Sequence, residues 1–128
     1  MRLFHTALSV MNLEKSRKFY ENVFDLKFRN TARSEELEAT FLQLEDEEGN
    51  FVELFEHDSP HPLHDDLMDF QKNGIKHISF IVQNLEAVIN SAIDNGGTVI
   101  RAPQSGKTVK RNAFIGDPDG IPIELVEL

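Results

Sequence analysis

Four side chains of the 128-residue sequence, two histidines and two glutamates, could together hold a metal ion. His5 is followed 72 residues later by His77, and Glu53 is followed 71 residues later by Glu124. Imidazole nitrogens and carboxylate oxygens suit a borderline divalent ion such as zinc, nickel, cobalt or manganese. Four protein ligands in a six-coordinate shell leave two positions for water or substrate oxygens. An ion held in this way could polarise a carbonyl group.

The matched spacing reflects an internal repeat. Residues 4–14, FHTALSVMNLE, recur as residues 76–86, KHISFIVQNLE, and residues 49–54, GNFVEL, recur as residues 120–125, GIPIEL. Such repetition indicates one supersecondary unit written twice. A lone strand histidine is more often structural than a ligand, and a glutamate near a strand end is usually solvated. The duplicated positions favour the metal interpretation, because pseudo-twofold pairing of the units would bring all four side chains into one cavity.

Hydrophobic periodicity predicts the same elements in each copy. In the first copy we expect a helix over residues 13–24 after an Asn12 cap, a loop over residues 31–38, and strands over residues 4–10, 26–30, 40–45 and 50–56. In the second copy we expect a helix that begins after Asn84 and ends at Gly96–Gly97, and strands over residues 75–82, 98–102, 112–115 and 121–127.

This order predicts an α+β fold of two tandem βαβββ modules, a curved mixed sheet with a concave metal site and its helices outside. We expect one domain over residues 1–128, with module one over about 1–58 and module two over about 74–128. Residues 59–73 form the predicted linker, since Pro60 and Pro62 cannot lie inside regular structure. A short helix over residues 64–73 is also possible.

Composition excludes several classes of protein. The formal charge of −9 argues against a nucleic-acid partner, which needs clustered Lys and Arg. No stretch approaches the length of a membrane span, so we expect no membrane partner. The absence of cysteine excludes disulfides and thiolate metal sites, and it makes the cytoplasm the expected location.

Two further groups of residues could contribute to a site. The loop residues Lys107, Lys110 and Arg111 could bind an anionic substrate, although a solvated basic loop on an acidic protein is equally plausible. Three histidines in or beside the linker could line the site or simply face solvent: His57, His61 and His64.

Several motifs resemble those of the vicinal-oxygen-chelate superfamily, which includes the glyoxalases, bleomycin-resistance proteins and extradiol dioxygenases. They are FHT near the start, FY in the first helix, VELF, KHISF, and the ending DPDGxxIEL. Within the superfamily the chain is most similar to the lactoylglutathione lyases (glyoxalase I). This resemblance covers nearly the whole chain.

The resemblance implies one divalent ion per site, most readily zinc or nickel, with cobalt or manganese possible, held by His5, Glu53, His77 and Glu124. It implies that Glu124 and Glu53 are the catalytic acid–base pair, which moves a proton between adjacent carbons of a hemithioacetal. It also implies a homodimer with shared sites, in which His5 and Glu53 come from one subunit and His77 and Glu124 from the other. The glutamate at the second ligand position favours a lyase over the similar methylmalonyl-CoA epimerases.

The sequence departs from the small bacterial lyases at two positions. Those enzymes usually have an arginine four residues after the first histidine, where it meets the glutathione carboxylate, and this chain has Ser9. They also tend to have an asparagine shortly after the second ligand, near the place of His57. The resemblance therefore implies the metal chemistry but not glutathione as the thiol. A ligand-sequestering protein of the bleomycin-resistance kind and a metal-dependent epimerase remain as alternatives.

Overall fold

The computed structural model describes residues 1–128, which form two compact units, Met1–Pro62 and Leu63–Leu128. The boundary between the units lies within the predicted linker of residues 59–73. Each unit has one helix and four strands in the order βαβββ. The prediction of an α+β fold with tandem βαβββ modules is confirmed. Neither helix combines the length and hydrophobicity that crossing a bilayer requires.

The first unit pairs its first and last strands in parallel. The sheet order is β1-β4-β3-β2, and the β4–β3 and β3–β2 pairs are antiparallel. Its elements are β1 (His5–Ser9), α1 (Leu13–Phe24), β2 (Lys27–Ser34), β3 (Ala39–Glu45) and β4 (Phe51–His57).

The second unit repeats this topology with the sheet order β5-β8-β7-β6. Here β5 and β8 are parallel, and the other two pairs are antiparallel. The elements are β5 (Ile78–Ile81), α2 (Leu85–Asp94), β6 (Thr98–Ser105), β7 (Arg111–Gly116) and β8 (Pro122–Glu127).

Each sheet packs its helix against one face only. In the first unit, Phe19 and Tyr20 of α1 are fully buried together with Leu44 and Leu54 of the sheet. The second unit buries Leu85 of α2 with other apolar side chains, namely Ala92, Ile115, Ile123 and Leu125. Because side chains alternate along a strand, His5, Glu53 and Glu124 belong to the faces opposite the helices.

A glutamate at the end of the last strand caps the helix of its own unit. The Asn12 side chain accepts a hydrogen bond from Lys15 N at 2.9 Å, and Glu56 Oε1 accepts one from Leu13 N at 3.0 Å. In α2, Asn84 and Glu127 do the same for Ala87 N and Leu85 N, each at 3.0 Å. These four acceptors satisfy backbone donors that have no partner inside a helix.

The predictions for the two outer strands were wrong, because both strands are longer than expected. Strand β2 continues through residues 31–34, where we expected a loop, and β6 continues through residues 103–105, beyond the predicted strand of residues 98–102. Both strands lie at a sheet edge and are largely exposed, so their residues lack the apolar alternation of an inner strand. Pro103 is tolerated because the register of β6 is broken between Arg101 and Gln104.

The segment of residues 64–73 forms turns rather than a helix. Asp66 and Asp69 each accept a hydrogen bond from the backbone N–H two residues later. Such Asx turns compete with helical hydrogen bonding. Strand β5 is also shorter than predicted, and His77 lies immediately before it.

Replacing the cap residue of α2 should destabilise the protein without altering the site. We expect Asn84→Ala to lower the free energy of unfolding by about 1 kcal/mol, because Ala87 N loses its acceptor. Asn84→Asp should retain most of the stability. Urea denaturation followed by circular dichroism measures both, and equal stability of Asn84→Ala and the unchanged protein would contradict the assigned cap.

Candidate metal site

The parallel pairing of β1 and β4 brings the first histidine and glutamate together. Ala7 lies opposite Glu53 and His5 lies opposite Phe51, so His5 and Glu53 are diagonal neighbours on one face. His5 Nε2 is 3.6 Å from Glu53 Oε1. The glutamate is buried, with only 9% of its surface exposed.

The second unit repeats this arrangement. Ser79 lies opposite Glu124, and His77 precedes Ser79 by two residues on the same face. His77 Nε2 is 3.5 Å from Glu124 Oε2. The two histidine side chains are equally accessible, at 28% and 27%, so each pair is reachable from solvent.

The donor set of each pair fits a divalent metal ion. Donors about 2.0–2.2 Å from one ion, at tetrahedral or octahedral angles, lie about 3.0–3.5 Å apart, close to the separations in both pairs. The same separations are too long for a good hydrogen bond. In both histidines Nε2 is the nitrogen that faces the glutamate, whereas Nδ1 is buried and has no hydrogen-bond partner. No three His, Asp or Glu side chains of one chain cluster closely enough to hold an ion.

The Glu53 carboxylate is held by a neighbouring amide. Gln43, directly opposite it on β3, donates from Nε2 to Glu53 Oε2 at 2.5 Å. Gln43 Oε1 in turn accepts a hydrogen bond from the Arg29 guanidinium. The remaining oxygen, Glu53 Oε1, is the one that faces His5. One oxygen is therefore anchored, and the other is available to a ligand.

The Glu124 carboxylate is held differently. Asn112 Nδ2 donates to its Oε1 at 2.9 Å, and Ser79 Oγ donates to its Oε2 at 3.1 Å. Asn112 Oδ1 is buried and accepts no hydrogen bond. Both oxygens of Glu124 thus already have a protein donor, and the amide that holds one of them lacks the cationic partner that Gln43 has.

A cavity of about 460 Å³ opens beside the far end of β1. It is lined by Ser9, Val10, His57, Ser59, Pro60 and His61. Ser9 lies four residues from His5, which corresponds to about 13 Å along an extended strand. His57 Nδ1 accepts a hydrogen bond from Ser59 N at 2.9 Å. The lining offers hydroxyl and imidazole groups but no Lys or Arg side chain.

An ion pair anchors the segment that carries this cavity. The Arg33 guanidinium donates two hydrogen bonds, each of 2.7 Å, to the two carboxylate oxygens of Asp58. Arg33 lowers the pKa of the Asp58 carboxyl chiefly through these hydrogen bonds. Bidentate pairing of this kind fixes geometry, so Asp58 is held firmly between its neighbours His57 and Ser59.

The other residues suggested by the sequence are placed less favourably. Arg111 lies on the helix side of its sheet, where it pairs with Glu86 and with Glu127, the latter at 3.3 Å. Its hydrogen bond with Glu86 raises the pKa of Arg111 and lowers the pKa of the Glu86 carboxyl. Arg111 is therefore already neutralised and faces away from Glu124. Three residues lie in exposed loops: His64, Lys107 and Lys110.

Sequence analysis did not identify the residues that hold the two carboxylates. They are Gln43, Ser79 and Asn112, and Arg29 in turn holds Gln43. A glutamine between two leucines in a strand, as in the stretch FLQLE, was a usable signal for Gln43. Its partner could not be named, because the register of β3 against β4 is not visible in the sequence.

The sequence of this chain matches a known protein family over nearly its whole length. A model of the Glyoxalase/Bleomycin resistance protein/Dioxygenase superfamily matches residues 2–125. The chain belongs to this superfamily. The prediction from the motifs is confirmed at that level.

Similar proteins of the superfamily include lyases. The chain is 31% identical to a probable lactoylglutathione lyase of Synechocystis, over 99% of this chain and 95% of that protein. It is 33% identical to a lactoylglutathione lyase of Neisseria meningitidis, over 99% and 91%. Among solved structures, the trypanothione-dependent glyoxalase I of Leishmania major is similar with a TM-score of 0.77 and 25% identity, over 99% of this chain and 86% of that one.

Proposed function

We propose that this protein is a metal-dependent lyase or isomerase of the glyoxalase type. It moves a proton between adjacent carbons of a hemithioacetal formed from a 2-oxoaldehyde and a thiol, or of a similar substrate with two vicinal oxygens. The observation that carries this proposal is the matched pair of His–Glu couples, with donor separations of 3.6 and 3.5 Å. The similarity to lactoylglutathione lyases supports it.

In this proposal His5, Glu53, His77 and Glu124 hold one divalent ion, for which zinc and nickel are the first candidates and cobalt and manganese are possible. When bound, the ion would polarise the carbonyl and hydroxyl oxygens of the hemithioacetal and so acidify the hydrogen on the carbon that bears the hydroxyl group and the sulfur. The protein then needs a base beside that carbon. Glu124 and Glu53 are the carboxylates available for the acid–base role.

The hydrogen bonds to Glu124 fit a proton carrier. Asn112 and Ser79 orient its two oxygens, so the carboxylate is aimed before substrate arrives. A base held in this way can take the proton from one carbon and return it to the neighbouring carbon with little movement. Glu53 has one oxygen anchored by Gln43 and the other facing His5, which suits a metal ligand.

Each unit supplies two of the four ligands, and we propose that two copies of the chain share them. His5 and Glu53 of one subunit would meet His77 and Glu124 of a second copy. A closed twofold dimer would then contain two equivalent sites.

Neutralising the proposed base should abolish turnover but leave the fold intact. We expect Glu124→Gln to lower kcat by about 10²–10⁴-fold with methylglyoxal and a panel of thiols, because the amide cannot accept the proton. Elemental analysis should still find a divalent ion in the variant. Glu48→Gln, in the exposed turn after β3, is the matched control and should keep full activity.

The same experiment separates a catalyst from a binding protein. A binding protein would show no turnover with any thiol, and the unchanged protein and Glu124→Gln would bind the adducts with equal affinity. That result would mean that the chain sequesters its ligand in the manner of a bleomycin-resistance protein. If elemental analysis finds less than about one divalent ion per site even after metal loading, the metal proposal itself is wrong.

Mixing two inactive variants tests whether subunits share a site. His5→Ala and His77→Ala should each lose activity alone. After the two variants are denatured and refolded together, each heterodimer should contain one intact site. This site combines the first unit of the His77→Ala chain with the second unit of the His5→Ala chain. About one quarter of the normal activity is expected from random pairing. If the mixture stays inactive while its subunits exchange, each site lies within a single chain.

The cavity beside β1 is where we place the unreactive arm of the substrate. It begins about four residues along the strand from His5, on the same face, and Ser9 occupies the position at which bacterial lyases carry an arginine. Its hydroxyl and imidazole lining suits a polar arm with fewer carboxylates than glutathione. His57 would contribute a hydrogen bond there, and neither Lys107 nor Arg111 is needed.

Introducing a cation into this cavity should favour glutathione. We expect Ser9→Arg to lower KM for the glutathione hemithioacetal by about tenfold, since a hydrogen bond to a charged group contributes about 1.5–3 kcal/mol. KM for the adduct of 2-mercaptoethanol, which has no carboxylate, should not fall. Ser9→Met controls for side-chain length. Equal effects of both variants on both substrates would place the substrate arm elsewhere.

A further inference from the structure

We propose that Arg29 is a positioning residue that orients both metal ligands of the first unit, Glu53 through Gln43 and His5 through Phe51. The inference rests on the proposed metal site and concerns residues that do not touch the ion. Arg29 belongs to the edge strand β2 and is exposed. Neither the sequence motifs nor the family resemblance suggested a role for it.

The first branch of this contact network runs through an amide. Arg29 Nη1 donates to Gln43 Oε1 at 2.5 Å, and Gln43 Nε2 donates to Glu53 Oε2 at 2.5 Å. Donation to the carbonyl oxygen fixes which end of the amide faces Glu53 and polarises its N–H groups. The carboxylate is thereby rotated so that Oε1, not Oε2, points to His5.

The second branch runs through an aromatic ring. The Arg29 guanidinium carbon lies 4.2 Å from the centre of the Phe51 ring, within the range of a cation–π contact. Phe51 in turn stacks on the His5 imidazole, with ring centres 5.0 Å apart and planes inclined by 25°. Phe4 packs edge-on against both rings. The imidazole is thus held by ring packing in the absence of any hydrogen bond to Nδ1.

A β-bulge gives Arg29 its direction. Phe28 pairs with Leu44, but the next pair is Asn30 with Gln43, so Arg29 is an extra residue in β2. A bulge of this kind redirects a side chain. Here it places Arg29 on the face that carries Gln43, Phe51 and Phe4, all of which it contacts.

The positive charge of Arg29 does not oppose metal binding strongly. Arg29 Nε lies 3.5 Å from Glu45 Oε2, so a carboxylate on the next strand offsets the charge. Both side chains are partly exposed, and solvent and salt screen the remainder. The orienting effect on the two ligands should therefore exceed the repulsion.

The second unit offers a matched comparison. The Arg101 guanidinium carbon lies 5.3 Å from the centre of the Phe114 ring, and Phe114 contacts His77 edge-on. Asn112, the amide that holds Glu124, has no hydrogen bond to its Oδ1. Arg101 thus has the ring contact without the amide branch, and its removal should matter less.

Zinc affinity provides the test. We expect Arg29→Met to bind zinc about tenfold more weakly, because loss of a side chain that orients a metal ligand typically costs 10–100-fold in affinity. Competition with a chromogenic chelator, on the full chain at one fixed protein concentration, measures this. Arg101→Met should lose less than about threefold, and the metal-free melting temperatures should stay equal. A loss no greater in Arg29→Met than in Arg101→Met would overturn the proposal.

A double-mutant cycle identifies the amide branch. Gln43→Met removes the link between Arg29 and Glu53, so adding Arg29→Met to it should cost clearly less than Arg29→Met costs alone. Strictly additive losses would contradict a shared path. Arg29→Lys keeps a hydrogen-bond donor but not the planar guanidinium group, so it should recover only part of the zinc affinity that Arg29→Met loses.

A metal-free measurement separates this inference from the proposed function. In the NMR spectrum, the side-chain amide of Gln43 should show slow hydrogen exchange in the unchanged protein and fast exchange in Arg29→Met. If the unchanged protein binds no zinc but the exchange differs as expected, the metal site fails and the Arg29–Gln43 contact stands. If zinc binds normally and neither exchange nor affinity responds to Arg29→Met, only the role of Arg29 is refuted.

Discussion

In both units the last strand carries one glutamate on each of its two faces, and the rest of the structure depends on these two carboxylates. Glu53 and Glu56 are three residues apart on β4, as are Glu124 and Glu127 on β8. The odd spacing sends one carboxylate to the open face and the other to the helix N-terminus. Since the same strand pairs in parallel with the histidine-bearing strand, helix capping and ligand alignment follow from a single register.

This arrangement explains how a carboxylate can be buried on an open sheet face. Glu53 is flanked by Phe51 and Phe55 and keeps only 9% of its surface exposed, which is unfavourable for an ionised group without partners. An amide donor and an imidazole supply part of the compensation. A cation between the two side chains would supply the rest, and this electrostatic demand is the physical basis of the proposed site.

The sequence was sufficient for the two modules, because they follow from the repeat and from hydrophobic periodicity. The pairing of each histidine with the glutamate of its own module was implied only by the family resemblance, because it depends on strand register. The helix α1 was predicted at its observed bounds from the Asn12 cap and its apolar spacing. The edge strands were predicted poorly, since a solvent-exposed strand such as β2 has no apolar pattern to reveal it. The contacts of Arg29 and Asn112 could not be predicted, because they depend on a bulge and on strand register, which only the folded chain defines.

The irregular outer strands also bear on how the protein avoids self-association through its sheets. Strands β2 and β6 have long, exposed edges of the kind on which another chain could add a strand and start aggregation. The bulge at Arg29, the two register breaks of β6 and Pro103 interrupt those edges. Straightening β2 by deleting the bulged residue would therefore create a template for edge-to-edge polymerisation and would also remove the arginine that contacts Gln43.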